Sequence, residues 1–73
     1  MDYTPFEYEL IKNIYNIDLL DTLKKYTLSF PFVINYILNE KYQITRKEKN
    51  ITIDTVINYQ PHLLTHFLPF IKH

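Results

Sequence analysis

The chain has neither cysteine nor glycine among its 73 residues, and each absence closes off a class of chemistry. Without cysteine there is no disulfide framework and no thiolate-ligated zinc to compensate for a small core, and cysteine usage gives no sign of redox compartment. Without glycine the phosphate-cradling loops and dinucleotide fingerprints lose the residue their backbones require, and so does the nucleophile elbow of the α/β hydrolases. Charge of one sign is also lacking. Eight Lys and Arg balance eight Asp and Glu, so no overall field draws the chain to nucleic acid or to an anionic membrane. No apolar run approaches the roughly twenty residues needed to span a bilayer. The opening stretch Met1-Asp2-Tyr3-Thr4-Pro5-Phe6-Glu7 is acidic and has no signal-peptide pattern, which predicts an intracellular, cytoplasmic protein with no membrane partner.

What is present is apolar and aromatic. Hydrophobic residues make up 47% of the chain and aromatics 16%, with seven Tyr and five Phe, a composition that buries large areas per side chain and is not that of a disordered segment. The length predicts one small domain over 1–73, near the lower limit of independent stability, where self-association or a partner is the remaining aid. The wealth of Ile, Asn, Lys and Tyr is what an AT-rich genome encodes, as in many viruses and mobile elements.

The pattern predicts a mainly α domain of four or five short helices. Thr4, Pro5 and Glu7 announce the first, over about 5 to 16, with a capping box. Asp18 caps a second, which carries Leu19, Leu20, Leu23 and Tyr26 and stops near Thr27. Ser29 caps a third, with Phe30, Val33, Ile34, Ile37 and Leu38 on one apolar stripe and Phe32, Tyr36 and Asn39 on another side. Over 42–54, Tyr42, Ile44, Ile51 and Ile53 alternate with polar residues around Arg46-Lys47-Glu48-Lys49-Asn50, which predicts a β-hairpin, with a charged loop as the alternative. Asp54 then caps a fourth helix, and Pro61 ends it or opens a fifth through Leu63, Leu64, Phe67, Leu68 and Ile71.

Catalytic constellations are not evident. Ser29 is better used as a helix cap than as a nucleophile, while Glu7 and Glu9 fall on different helix faces. The expectation is a protein that is not an enzyme and takes no cofactor. His62 and His66 stand four apart and could share a metal, but a third ligand would have to come from Asp54, His73 or a partner, and the bland reading as two surface histidines is preferred, so no metal is expected. Asn50-Ile51-Thr52 matches a glycosylation acceptor that a chain without a secretory signal would not use.

The one local electrostatic feature is the basic cluster Lys41, Arg46, Lys47 and Lys49, interrupted by Glu40 and Glu48. Three helices followed by a ribbon with a basic tip, over roughly Leu19 to Asp54, resemble a winged helix-turn-helix, and Asn39-Glu40-Lys41-Tyr42-Gln43-Ile44-Thr45-Arg46 resembles the passage from recognition helix into wing. That resemblance implies phosphate contacts from the wing and a DNA-binding regulator. The leading expectation is different. A chain this short cannot bury all its aromatics together with its Leu and Ile, so the surplus should face a larger protein that this regulator or inhibitor binds. The residues expected there are Phe32, Tyr36, Asn39, Phe67 and Phe70. The same surplus predicts a homo-oligomer, most simply a dimer through the third helix or the C-terminal segment.

Overall fold

The computed structural model describes residues 3–70, and among them the chain is helical with no strand. Each helix is short, and four of the six α-helices begin at a side-chain cap. α1 (Pro5–Lys12) starts from Thr4, whose hydroxyl accepts from Glu7 N while the Glu7 carboxylate accepts from Thr4 N at 2.9 Å, the reciprocal box the sequence announces. It ends four residues earlier than its apolar spacing suggests. Asn13 donates its side-chain amide back to Glu9 O, and the chain passes into tight i→i+3 turns through Asn16, which swing Ile14 into the core. α2 (Leu19–Lys25) begins where Asp18 accepts from Leu20 N and Asp21 N.

The third helix departs from the predicted face. α3 (Phe30–Phe32) runs directly into a π-helical stretch, Val33–Ile37, closed by an i→i+5 bond from Leu38 N to Val33 O at 2.9 Å. A π turn holds more residues than an α turn, and the buried positions of this helix are adjacent Phe32 and Val33 and then Ile37, five beyond Phe32, with Leu28 buried just ahead of the helix. Phe32 rotates into the core. Ile34, expected inside, is turned out and stands 39% exposed. Ile37→Ala should therefore cost about 2 to 5 kcal/mol and Ile34→Ala about 1 kcal/mol or less in a thermal or urea melt.

The β-hairpin over 42–54 is not formed, and with it goes the ribbon of a winged-helix arrangement. A 3₁₀ turn (Glu40–Tyr42) is followed by α4 (Arg46–Lys49), one helical turn, and then by α5 (Ile53–Tyr59). The cause is local: Thr45-Arg46-Lys47-Glu48 is a second capping box, with Thr45 Oγ1 accepting from Glu48 N and the Glu48 carboxylate accepting from Thr45 N. That nucleus closes a helix where alternation suggested a strand. Thr52, not Asp54, caps α5, accepting from Thr55 N. Pro61 opens a 3₁₀ turn (Pro61–Leu63) leading into α6 (Leu64–Phe67) and a final 3₁₀ turn (Leu68–Phe70). Ile71 and His73 lie outside the described residues.

One hydrophobic cluster ties these pieces together, with Leu19 and Leu23 from α2, Phe32, Val33 and Ile37 from the third helix, Val56 from α5 and Phe67 from α6 at its centre. Helices of one or two turns leave many unpaired terminal amides and carbonyls, and buried side chains take them up. Glu7 reaches beyond its own box to Ser29 N and Ser29 Oγ, so α1 supplies the cap of the third helix; Ser29 occupies the cap position but makes no cap bond itself. Gln60 accepts from Leu28 N and donates to Leu23 O and Tyr26 O, joining the end of α2 to the start of the next segment. Gln43 donates to Ile37 O at the end of the π stretch. Among the described residues no buried side-chain polar atom lacks a partner.

Candidate partner-binding face

Five tyrosines form a continuous strip over the third helix and its neighbours. Tyr8 packs edge-on against Tyr3 at 5.5 Å, Tyr3 meets Tyr36 at 5.8 Å, Tyr36 meets Tyr42 at 5.0 Å and Tyr42 meets Tyr15 at 5.5 Å between ring centroids. Phe32 is the floor of the strip. It stacks under Tyr36 at 5.4 Å and meets Tyr3 edge-on at 6.4 Å. The rings come from five places along the chain, before, within and after α1, in the π stretch and in the 3₁₀ turn, and half-buried Tyr36 lies over buried Phe32. Burial first, and then the neighbouring Tyr3 and Tyr42 phenols, push the Tyr36 phenol above its ordinary value of 10.0, so it stays a neutral donor and acceptor at physiological pH.

The polar edge of the strip is fixed rather than free. Asn35 donates to the Tyr3 hydroxyl at 2.8 Å, and Asn39 donates to Asn35 O while its Oδ1 accepts from Lys41 N, capping the 3₁₀ turn. Lys41 lies 5.5 Å over the Tyr42 ring. Beyond Tyr42 the strip opens into a cleft of about 270 Å³, whose apolar walls are Ile14, Tyr15, Ile17, Tyr42 and Ile44. Tyr15 and Ile44 are each 57% exposed, large exposure for apolar groups flanking a hollow. Exposed Asp18 and buried Glu48 also line it.

Both carboxylates already serve the backbone. Asp18 caps α2, and buried Glu48 takes Leu19 N on Oε2 and both Ile44 N and Thr45 N on Oε1 at 2.9 to 3.0 Å. For Glu48, burial works against the charge but the N–H groups of Leu19, Thr45 and Ile44 together outweigh it, holding the carboxyl below its ordinary value.

Of the residues expected at a partner surface, Tyr36 belongs to the strip and Asn39 borders it, half-buried. Phe32 and Phe67 do not face outward; both are fully buried and belong to the core. Phe70 is 65% exposed but sits in a second aromatic group, 6.5 Å from Phe30, which also stacks on His66 and meets Phe67 edge-on. The basic residues Lys41, Arg46, Lys47 and Lys49 are all exposed, the last three on α4 and not on a ribbon tip. His62 and His66 are not brought to a common site, since His62 Nε2 bonds Leu28 O at 2.8 Å while His66 stacks on Phe30. Among the described residues no cluster of three or more His, Cys, Asp or Glu is placed to hold a metal ion, and no helix is long and apolar enough to cross a membrane.

Sequence reasoning counted Tyr8, Tyr15 and Tyr42 only among the surplus aromatics, some of which should line an interface, and did not name Tyr3 or Ile44. Their grouping depends on which way the segments turn after α1 and after the π stretch, and spacing along the chain carries no signal for that. No protein-family model, curated protein or solved structure matches the chain.

Proposed function

We propose that the chain is a non-enzymatic regulator that binds a larger protein through the tyrosine strip and the cleft at its end. The observation that carries this reading is the unbroken contact of five tyrosine rings, from Tyr8 to Tyr15, resting on a buried phenylalanine. Tyrosine offers large contact area with few torsions to freeze and a hydroxyl that stays satisfied in water or in a complex, which is why it dominates binding surfaces. The adjoining cleft is wide enough for a side chain of the partner. Binding there would block or modulate that partner by occupying its surface.

The test is a double variant at the two exposed large hydrophobic residues of the cleft, Tyr15→Ser with Ile44→Ser. Because both side chains project into solvent, the melting transition should move little, by about 1 kcal/mol or less in stability. Affinity capture from the native cells should lose its specific partner. Undiminished capture by the folded double variant would overturn the reading.

Duplex-DNA binding is the second reading, favoured by one observation: Arg46, Lys47 and Lys49 are exposed on one helical turn whose acid, Glu48, points inward. It no longer has a wing to rest on. Salt-sensitive duplex binding, lost when these three cations are neutralised, would promote it.

A further inference from the structure

We infer that the side chain which the partner protein seats in the cleft is cationic, a lysine or arginine whose head group meets Asp18 and whose stem lies along the isoleucine and tyrosine walls; the inference rests on the protein-binding reading above. Its ground is the charge of the lining. Asp18 and Glu48 both line the cleft, and no Lys, Arg or His does. Glu48 is buried, and the three amides that bond its oxygens hold it ionised, so these hydrogen bonds fix a negative charge there and do not cancel it. Asp18 is exposed and caps α2 through Oδ1 alone, which accepts from Leu20 N and Asp21 N; among the described residues its Oδ2 takes no hydrogen bond and the side chain makes no ion pair. One carboxylate oxygen at the cleft is therefore open to a charged donor.

The remaining walls suit the same ligand. Exposed Tyr15 and half-buried Tyr42 line the cleft with ring centroids 5.5 Å apart, and aromatic faces attract ammonium and guanidinium groups. The chain already shows this at one of the two rings: Lys41, which is exposed and does not line the cleft, places its ammonium 5.5 Å from the centre of Tyr42. Ile14, Ile17 and Ile44 supply apolar surface of the kind along which lysine and arginine bury their methylenes while the charge stays at a polar rim. A carboxylate on the partner would be repelled by two fixed negative charges, and a purely apolar side chain would desolvate Asp18 and leave it unpaired. A cationic side chain meets neither cost.

The experiment is selection from a displayed random-peptide library on the immobilised intact chain, followed by the affinities of the selected peptides for wild type, Asp18→Asn, Lys41→Gln and the cleft variant Tyr15→Ser/Ile44→Ser. Asparagine caps a helix about as well as aspartate, so Asp18→Asn removes the charge and keeps the start of α2, which a thermal melt checks. n-Butylamine, the lysine side chain without its peptide, is the free-amine competitor, and light scattering reports the mass of each chain. Peptides carrying Lys or Arg beside apolar residues are expected. Their affinity should fall about fivefold on Asp18→Asn and decline with rising salt, as for one partly exposed ion pair, and should rise on Lys41→Gln, which removes a like charge beside Tyr42. Norleucine in place of the selected lysine keeps the stem, removes the charge and should cost about the same factor on the unaltered chain. Selected peptides without Lys or Arg, or basic peptides indifferent both to Asp18→Asn and to norleucine, would overturn the inference; where they still lose binding on the cleft variant, the protein-binding reading stands. Weaker binding on Lys41→Gln would overturn it too, since the segment would then be drawn by the chain's cations. Failure to enrich any peptide above the cleft variant would overturn both. n-Butylamine binding as tightly as the peptides would reassign the cleft to a small free amine, and dimerisation abolished by Asp18→Asn would reassign it to a basic residue of a second copy.

Discussion

Glu48→Ala is expected to leave most of the chain unfolded near room temperature, because one buried side chain holds three backbone amides from two separate parts of the fold. Oε2 takes Leu19 N at the start of α2, while Oε1 takes Ile44 N and Thr45 N at the start of α4. Removing the carboxylate strands all three N–H groups in or beside the core. Each buried, unsatisfied donor costs about 1 to 3 kcal/mol. A domain below about 70 to 80 residues rarely has more than about 3 to 5 kcal/mol to lose. Glu48→Gln distinguishes the two halves of this role. Its carbonyl can replace Oε1 and keep the α4 box, but its amide then meets Leu19 N donor to donor, so α2 loses its link to α4 and stability drops by an intermediate amount.

The same residue makes stability depend on acid. Its folded value lies below the ordinary 4.5, so its contribution is fully present above about pH 4.5 and is lost as pH falls through the lowered folded value. In Glu48→Gln that part of the acid-induced decline should vanish. Urea midpoints measured from neutral pH down to pH 3 check this, and equal acid slopes in wild type and Glu48→Gln would mean that the carboxylate does not hold its N–H partners as described.

The helical class was legible, and so were the caps that stand alone in the sequence. Thr4 with Glu7 and Asp18 before Leu19 mark helix starts because a short polar side chain there bonds amides two or three residues ahead, a purely local geometry. The same rule applied at Thr45 and Glu48, but there it competed with alternating Tyr42, Ile44, Ile51 and Ile53, and reading that alternation as strands concealed the box. Alternation over two short runs is weak where a capping box offers an immediate nucleus. The π turn left no local trace. Its effect was to move Phe32 inward and Ile34 outward, so the α-helical period assigned the wrong side chain to the core.

The candidate site was less legible than the fold, for a related reason. Tyr36 could be picked out as lying off the main stripe of its own helix. Tyr15 and Tyr42 join it only through the turns at Asn13–Asn16 and at Glu40–Tyr42, and the buried side chains that tie the neighbouring segments, Glu48 at Leu19, Ile44 and Thr45 and Gln43 at Ile37, look in the sequence like ordinary surface polar residues. Their burial follows from the shortness of the helices. Many helix ends in a small volume need many acceptors and donors, and long polar side chains from neighbouring segments are the groups that reach them.

Phe32→Ala should cost about 3 to 5 kcal/mol, the usual range for deleting a fully buried ring. The side chain is wholly enclosed and lies under Tyr36 and Tyr3, so its loss opens a cavity and removes the floor of the tyrosine strip together. Had Phe32 faced a partner, as the α-helical period implied, the same change would leave the melting transition intact and weaken binding alone. The two roles therefore predict opposite results in a urea melt of the isolated chain. Phe32→Leu keeps most of the volume and should fold, with a cost of about 1 to 2 kcal/mol. Its ring-proton shifts at Tyr3 and Tyr36 should still change, because both rings lose the aromatic face they rest on. An unshifted Tyr36 in that folded variant, or a melt of Phe32→Ala indistinguishable from wild type, would show that the π turn does not deliver Phe32 to the core.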